Sequence, residues 1–143
     1  MNFSKLDWIA IDWGTTNFRA WLIKDNKVLK EIVKQDGIKN IPNKNFEDIL
    51  IKKIKFIKKI KRKIKIISCG MIGSRQGWVD TGYEKKLNFK KNNLIKVKTK
   101  NKNLDFYIVK GLSQKNPYEV IRGEETQVLG YLNHNKTFSG FIC

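Results

Sequence analysis

The sequence is short of several things, and each shortage removes a class of protein. It holds two cysteines, Cys69 and Cys143, among 143 residues. Neither belongs to a Cys-x-x-Cys pair or a His/Cys cluster, so neither a disulfide scaffold nor a structural zinc site is expected. Both follow β-like apolar runs and read as buried free thiols. No stretch approaches the ~20 consecutive apolar residues that cross a bilayer. Residues 1–12, MNFSKLDWIAID, lack the continuous apolar core of a secretory signal. The expectation is a cytoplasmic chain in a reducing compartment, with no membrane partner.

Arginine is scarce too. The formal net charge of +17 is carried almost wholly by lysine, and the four arginines are Arg19, Arg62, Arg75 and Arg122. Such a charge ordinarily suggests nucleic acid or an anionic membrane surface. Here lysine is abundant together with isoleucine and asparagine, and those three residue types share A- and T-rich codons. Base readout favours the bidentate arginine fork, yet three of the four arginines fall inside the motifs described below. No specific nucleic-acid partner is expected.

What remains is a chain with an ordinary apolar share and plentiful aromatics. Its length suits one domain that buries its own core. Residues 8–12 form a short apolar strand ending in a carboxylate, and Gly14-Thr15-Thr16 makes a turn. Residues 17–24 and 28–33 read as two further strands joined by a tight turn at Asp25-Asn26-Lys27, which predicts an antiparallel three-stranded opening. In residues 45–63 the apolar positions Phe46, Ile49, Leu50, Ile54, Ile57 and Ile60 recur at helical spacing. The reading is one helix capped by Asn45, with Glu47 and Asp48 in its first turn and lysines in its last. That basic amphipathic pattern suits a membrane surface, but equally a helix docked on a sheet with a wet lysine face. Residues 64–69 form a buried-type strand, residues 85–103 a loop or variable hairpin, and residues 104–109 another strand. A helix is expected to start near Gly123 or Glu124, and residues 138–143 to begin a further strand. Hairpin strands followed by alternating helix and strand argue for an α/β fold with a mixed sheet and flanking helices.

Four segments carry chemistry. In Asp12-Trp13-Gly14-Thr15-Thr16 a strand ends in an acid and a glycine turn with two hydroxyls follows. Glycine lets backbone approach a phosphate, and successive N–H groups of such a turn form an anion-binding concavity. Asp12 at the strand end is suited to Mg²⁺. A plain hairpin turn has the same letters. The second segment is Gly70-Met71-Ile72-Gly73-Ser74-Arg75-Gln76-Gly77-Trp78, a loop after a strand, where α/β proteins bind ligands. Arg75 is a natural carboxylate clamp, Ser74 and Gln76 can bond sugar hydroxyls, and Trp78 can pack on a sugar face; a structural loop with a surface arginine fits equally. The third, Gly111-Leu112-Ser113-Gln114, says little alone. The fourth, Arg122-Gly123-Glu124-Glu125-Thr126-Gln127, places two carboxylates at the head of a helix. Acids belong there on dipole grounds, and one of them can also serve as a general base.

The acid-glycine turn in its strand setting resembles the phosphate-binding hairpin of the actin, chaperone and sugar-kinase superfamily, whose members hold ATP between two RNase H-like domains. The segments DWGTTNFRAW, CGMIGSRQGW, GLSQ and RGEETQVLG, in this order, resemble the signatures of the 2-dehydro-3-deoxygalactonokinase family from about Trp8 to the end of the chain. The resemblance implies that residues 1–143 are an N-terminal RNase H-like kinase domain. It implies MgATP-dependent phosphorylation of the 6-hydroxyl of 2-dehydro-3-deoxygalactonate in galactonate catabolism. It assigns Asp12 to Mg²⁺ and Gly14, Thr15 and Thr16 to the β- and γ-phosphates. Glu124 or Glu125 becomes the base, and Ser74, Arg75, Gln76, Arg122 and Arg19 the candidates for the sugar acid. Family members are about twice as long, so a second phosphate loop and a C-terminal domain are expected beyond residues 141–143, and the chain reads as truncated and inactive alone. Two other readings stand beside it, a non-catalytic remnant of such a kinase and a basic RNase H-like nucleic-acid-binding protein.

Overall fold

The computed structural model describes residues 6–85 and 93–142. β1 (Trp8–Trp13), β2 (Phe18–Lys24) and β3 (Lys27–Lys34) form the antiparallel meander that the sequence predicts. The turn between β2 and β3 has φ of 50° at Asp25 and 58° at Asn26, the left-handed pair that matches the twist of a two-residue hairpin. β4 (Ile64–Cys69) lies parallel to β1, and β7 (Leu104–Val109) parallel to β4. β6 (Leu94–Lys96) closes the edge antiparallel to β7. The six-stranded order is β3-β2-β1-β4-β7-β6, a mixed sheet in an α/β fold.

Period-two alternation decides which face is wet. Ile9, Ile11 and Trp13 of β1, Phe18, Ala20 and Leu22 of β2, Ile64 and Ile66 of β4, and Leu104, Phe106 and Ile108 of β7 are all buried on one face. Each large side chain contributes roughly 1.5–3 kcal/mol by leaving water. Against that face lies α1 (Phe46–Lys53), through Phe46 and Leu50. An aromatic chain runs across the core. The Trp13 ring meets Phe18 edge-on at 5.0 Å and Phe46 at 5.9 Å, Phe46 stacks on Trp78 at 6.2 Å, and Trp78 reaches Phe106 at 4.8 Å.

The expected helix over residues 45–63 is corrected. α1 stops at Lys53, Ile54 leaves helical geometry at φ −112° and ψ 67°, and residues Lys55–Lys59 form a 3₁₀ turn. Ile54, Ile57 and Ile60 are three apart and all buried, which suits three residues per turn better than 3.6. Lysines at 52, 55, 58 and 59 would also repel one another at helical spacing. Asn45 does not cap a backbone amide; its Nδ2 donates to Asp48 Oδ2 at 2.6 Å. Glu47, read as a helix-dipole acid, instead accepts the backbone N–H groups of Lys100 and Asn101, both at 2.8 Å.

A second, three-stranded sheet has no counterpart in the sequence reading. It orders β5 (Tyr83–Glu84), β8 (Gly111–Lys115) and β9 (Tyr118–Ile121) as β5-β8-β9. The Gly111–Gln114 segment is thus a strand. α2 (Glu124–His134) begins where expected. The strand expected from residue 138 is corrected: residues 138–142 are irregular, and Cys143 lies outside the described residues. Part of the segment expected as loop or hairpin, residues 86–92, lies there too.

Candidate functional site

Asp12 lies one residue before the end of β1, in register with Arg19 of β2 on one side and Cys69 of β4 on the other. Arg19 Nη1 stands 3.8 Å from Asp12 Oδ2. Burial pushes the Asp12 pKa above the usual carboxylate value; Arg19 opposes the shift and the Glu124 charge adds to it. The turn after β1 closes with the Gly14 N–H donating to Asn17 O at 3.0 Å. Its carbonyls face backwards. Those of Gly14, Thr15 and Thr16 accept from Ile38, Lys39 and Gly37 at 3.0, 3.1 and 2.8 Å. The Thr15 and Thr16 amides make no hydrogen bond among the described residues, and both side chains are exposed. This is the arrangement a phosphate-cradling turn requires.

The head of α2 sits across from that turn. Gly123 takes φ 115° and Gly70 φ 93°, and the two pack against each other. Asp12, Gly14, Thr15, Thr16, Arg19 and Glu124 thereby line one hollow of about 280 Å³. The two glutamates differ. Glu124 is exposed at the hollow, with Oε2 accepting the Arg122 backbone N–H at 2.9 Å. Glu125 is buried and accepts the Gly123 N–H at 2.5 Å, with the Thr126 hydroxyl at 3.2 Å. Burial raises the Glu125 pKa, partly offset by those hydrogen bonds. Cys69 is a buried free thiol as expected, pushed up to about 12, first by burial and then by the charges of Asp12 and Glu125. At neutral pH it is an inert thiol.

A second hollow of about 500 Å³ adjoins the first and shares Met71 and Arg122 with it. Ser74, Arg75 and Gln76 line it, with Tyr83 and Tyr118 opposite. The Arg75 side chain is 94% exposed, with Nε 3.5 Å from Asp80 Oδ2. Ser74 Oγ donates to Met71 O at 2.7 Å. Arg122 is buried; Nη1 donates to Thr81 Oγ1 at 2.7 Å, Nη2 to Gly82 O at 3.0 Å, and the guanidinium stands 4.3 Å from the Tyr83 ring centre. Its fork therefore holds the loop between β4 and β5, which forms the hollow's wall. Trp78 is corrected as a sugar platform. It packs between Phe46 and Phe106 against the core.

Of the residues singled out in the sequence, Asp12, Gly14, Thr15, Thr16, Arg19 and Glu124 line the first hollow, Ser74, Arg75 and Gln76 the second, and Arg122 both, whereas Glu125 and Trp78 line neither and Ser113 and Gln114 line a separate hollow beside Glu119. The sequence reading missed Tyr83 and Tyr118, since nothing local marks them, and the segment behind residues 14–16. In that segment Gly37 was the available signal. A Cβ there would lie 2.4 Å from Thr15 C.

The chain matches a family model described as 2-keto-3-deoxy-galactonokinase over residues 12–143. It is 34% identical over 94% of its length to a protein of Rhizobium meliloti (strain 1021) named probable 2-dehydro-3-deoxygalactonokinase. It is 30% identical over 86% of its length to the 2-dehydro-3-deoxygalactonokinase of Escherichia coli (strain K12). The chain covers 45% and 41% of those relatives, less than half of each. A crystal structure of a protein from Sinorhizobium meliloti, described as a putative 2-dehydro-3-deoxygalactonokinase, superposes with a TM-score of 0.76 at 34% identity, covering 89% of this chain and 42% of that one.

Proposed function

We propose, since this chain belongs to the 2-keto-3-deoxy-galactonokinase family, that it supplies the phosphate-turn and sugar-acid side of an ATP-dependent kinase. The reaction would transfer the γ-phosphoryl group of ATP to the 6-hydroxyl of 2-dehydro-3-deoxy-D-galactonate, a cytoplasmic step of galactonate catabolism. The sheet order β3-β2-β1-β4-β7, with the first three strands antiparallel and the next two parallel to β1, supports an RNase H-like domain of the actin and sugar-kinase type. The observation that carries the reading is the first hollow. The Thr15 and Thr16 amides, which make no hydrogen bond among the described residues, a carboxylate near the strand end and a helix-head carboxylate converge there, beside a second hollow rich in polar groups.

Phosphoryl transfer rests on positioning and charge stabilisation. In this reading the amides and hydroxyls of Thr15 and Thr16 hold the β- and γ-phosphates. Asp12 and its surroundings fit Mg²⁺, which keeps most of its waters and takes one or two carboxylates with the phosphates. No cage of three or more His, Cys, Asp or Glu exists among the described residues, and Mg²⁺ needs none. Bound there, it would supply charge neutralisation between the phosphates. Glu124, with Oε1 free of the Arg122 amide, accepts the proton of the attacking 6-hydroxyl. Glu125 is tied to Gly123 and supports the helix head. Arg75, Ser74 and Gln76 orient the sugar acid, and Arg122 shapes the wall between the hollows. Arg19 acts at the edge, beside Asp12.

The test is a chimera in which this chain is continued by the C-terminal part of the Rhizobium relative. MgATP-dependent phosphorylation of 2-dehydro-3-deoxygalactonate at oxygen 6, read by ³¹P and ¹³C NMR, is expected. A folded chimera that phosphorylates a different alcohol and leaves this sugar acid untouched would reject the substrate assignment.

A further inference from the structure

We propose that the segment from Asp36 to Lys39, locked by Lys53 of α1, is the positioning element of the phosphate turn. The inference rests on reading residues 14–16 as that turn.

A peptide unit is planar and trans, so its C=O and N–H point in opposite directions. Whatever fixes the carbonyls of Gly14, Thr15 and Thr16 to the rear fixes the N–H groups of Thr15, Thr16 and Asn17 to the front. The three consecutive amides of Gly37, Ile38 and Lys39 perform that fixing, at 2.8, 3.0 and 3.1 Å. The approach is so close that only glycine fits at its head. A Cβ on Gly37 would stand 2.4 Å from Thr15 C and O and 2.5 Å from Gly14 O. Its φ of −78° is open to any residue, so the requirement is space and not conformation.

The strap is held in turn from α1. The Lys53 side chain is 5% exposed. Its ammonium donates to Asp36 O at 2.9 Å, pairs with the Asp36 carboxylate, and lies 5.2 Å from the Phe18 ring centre. Phe18 is the first residue of β2, where the chain leaves the turn. Ile38 is buried behind it. The Asp36 side chain is 50% exposed, and a pair so open to water on one side contributes little to stability. What the pair adds is geometry, a fixed height for the strap beneath the turn. Substituting Lys53 should therefore change the turn more than it changes the fold.

The experiment is a titration of the 143-residue chain with MgATP, following the amide resonances of Thr15 and Thr16, together with hydrogen exchange at residues 37–39. Lys53→Met is expected to weaken MgATP binding by about 10–100-fold, as loss of outer-shell positioning does elsewhere. Its melting temperature should change little, while the amides of residues 37–39 exchange faster. Lys53→Arg, which keeps the charge, should recover most of the affinity. Gly37→Ala is expected to weaken binding at least as much as Lys53→Met. Wild-type binding at the turn with undiminished binding by both Lys53→Met and Gly37→Ala overturns this inference alone. Wild-type chain whose Thr15 and Thr16 amides ignore MgATP overturns the phosphate-turn reading, and the inference with it.

Discussion

Gly70 and Gly123 meet back to back, so that a Cβ on Gly123 would stand 3.2 Å from the Gly70 Cα. Both have positive φ, 93° and 115°. The contact seats the head of α2 on the end of β4 and carries Glu124 to the hollow that holds Asp12. A Cβ on Gly70 would in turn meet Trp13 O at 2.8 Å and Asp12 Oδ1 at 3.0 Å. Two missing side chains thus bring a strand-end acid and a helix-head acid together.

Substituting Gly123→Ala should therefore cost about 1–3 kcal/mol, because an L side chain is strained at this φ and crowds Gly70. Thermal melting should show a fall of several degrees, and kcat of the chimera with the Rhizobium relative should fall as Glu124 shifts. Gly130→Ala is the control. Gly130 lies inside α2 with open space where its Cβ would go, so the change should stabilise the chain by roughly 0.4–1 kcal/mol. Equal effects from the two substitutions would show that the Gly70 contact has no special role.

How far the sequence revealed this arrangement depended on how local the cause was. Residues 8–34 were legible because alternation and an Asp-Asn turn are local signals, and β1 to β3 follow them. The start of α2 was legible from its glycine and paired acids. The end of α1 was not, because Ile54, Ile57 and Ile60 continue an apolar pattern that a 3₁₀ turn satisfies as well as an α-helix does. Trp78 and Arg122 were placed in the right loops, but their partners Phe106, Thr81 and Tyr83 lie across the fold. Nothing in the neighbourhood of either residue announces a core ring or a loop-holding guanidinium. The β5-β8-β9 sheet was hidden for the same reason, since its strands are too short to show an alternation of their own.

Asp12 sets function against stability. Burial raises its pKa, so the folded chain holds that proton to higher pH than the unfolded chain does. The stability linked to the proton is present below the unfolded value of about 3.9 and is lost as pH rises through the folded value. Asp12→Asn has no proton to lose. It should melt above wild type at neutral pH, and the gap should close as pH falls towards about 4. The same variant should lose Mg²⁺-dependent nucleotide binding. A melting difference that does not vary with pH would show that burial of the charge is not the cause.

Glu47 tests the fold apart from the site. Its two carboxylate oxygens accept the Lys100 and Asn101 amides, so Glu47→Ala leaves both without that partner. A loss of about 1–3 kcal/mol is expected in denaturant unfolding. Glu47→Gln, which keeps one acceptor oxygen, should lose less. MgATP affinity at saturating folded fraction should stay unchanged in both, since Glu47 lines neither hollow.

The glutamate pair gives the sharpest test of the reaction, made in the chimera with the Rhizobium relative. A general base must reach the substrate hydroxyl at about 2.6–3.2 Å, and adjacent helical residues diverge by roughly 100° in direction. Glu124 lines the hollow with Asp12, Gly14, Thr15 and Thr16, whereas Glu125 is buried against the Gly123 amide. Glu124→Gln keeps the shape and removes the proton acceptor. It should lower kcat by about 10²–10⁴-fold with little change in KM for ATP. Glu125→Gln keeps an oxygen for the Gly123 N–H and removes a charge that burial disfavours. Its kcat should fall by less than about tenfold, and its melting temperature at neutral pH should match or exceed wild type. The reverse order, with Glu125→Gln crippled and Glu124→Gln active, would move the base to the buried residue. If both variants keep near-normal kcat, the hydroxyl loses its proton elsewhere and neither glutamate has the role assigned to Glu124.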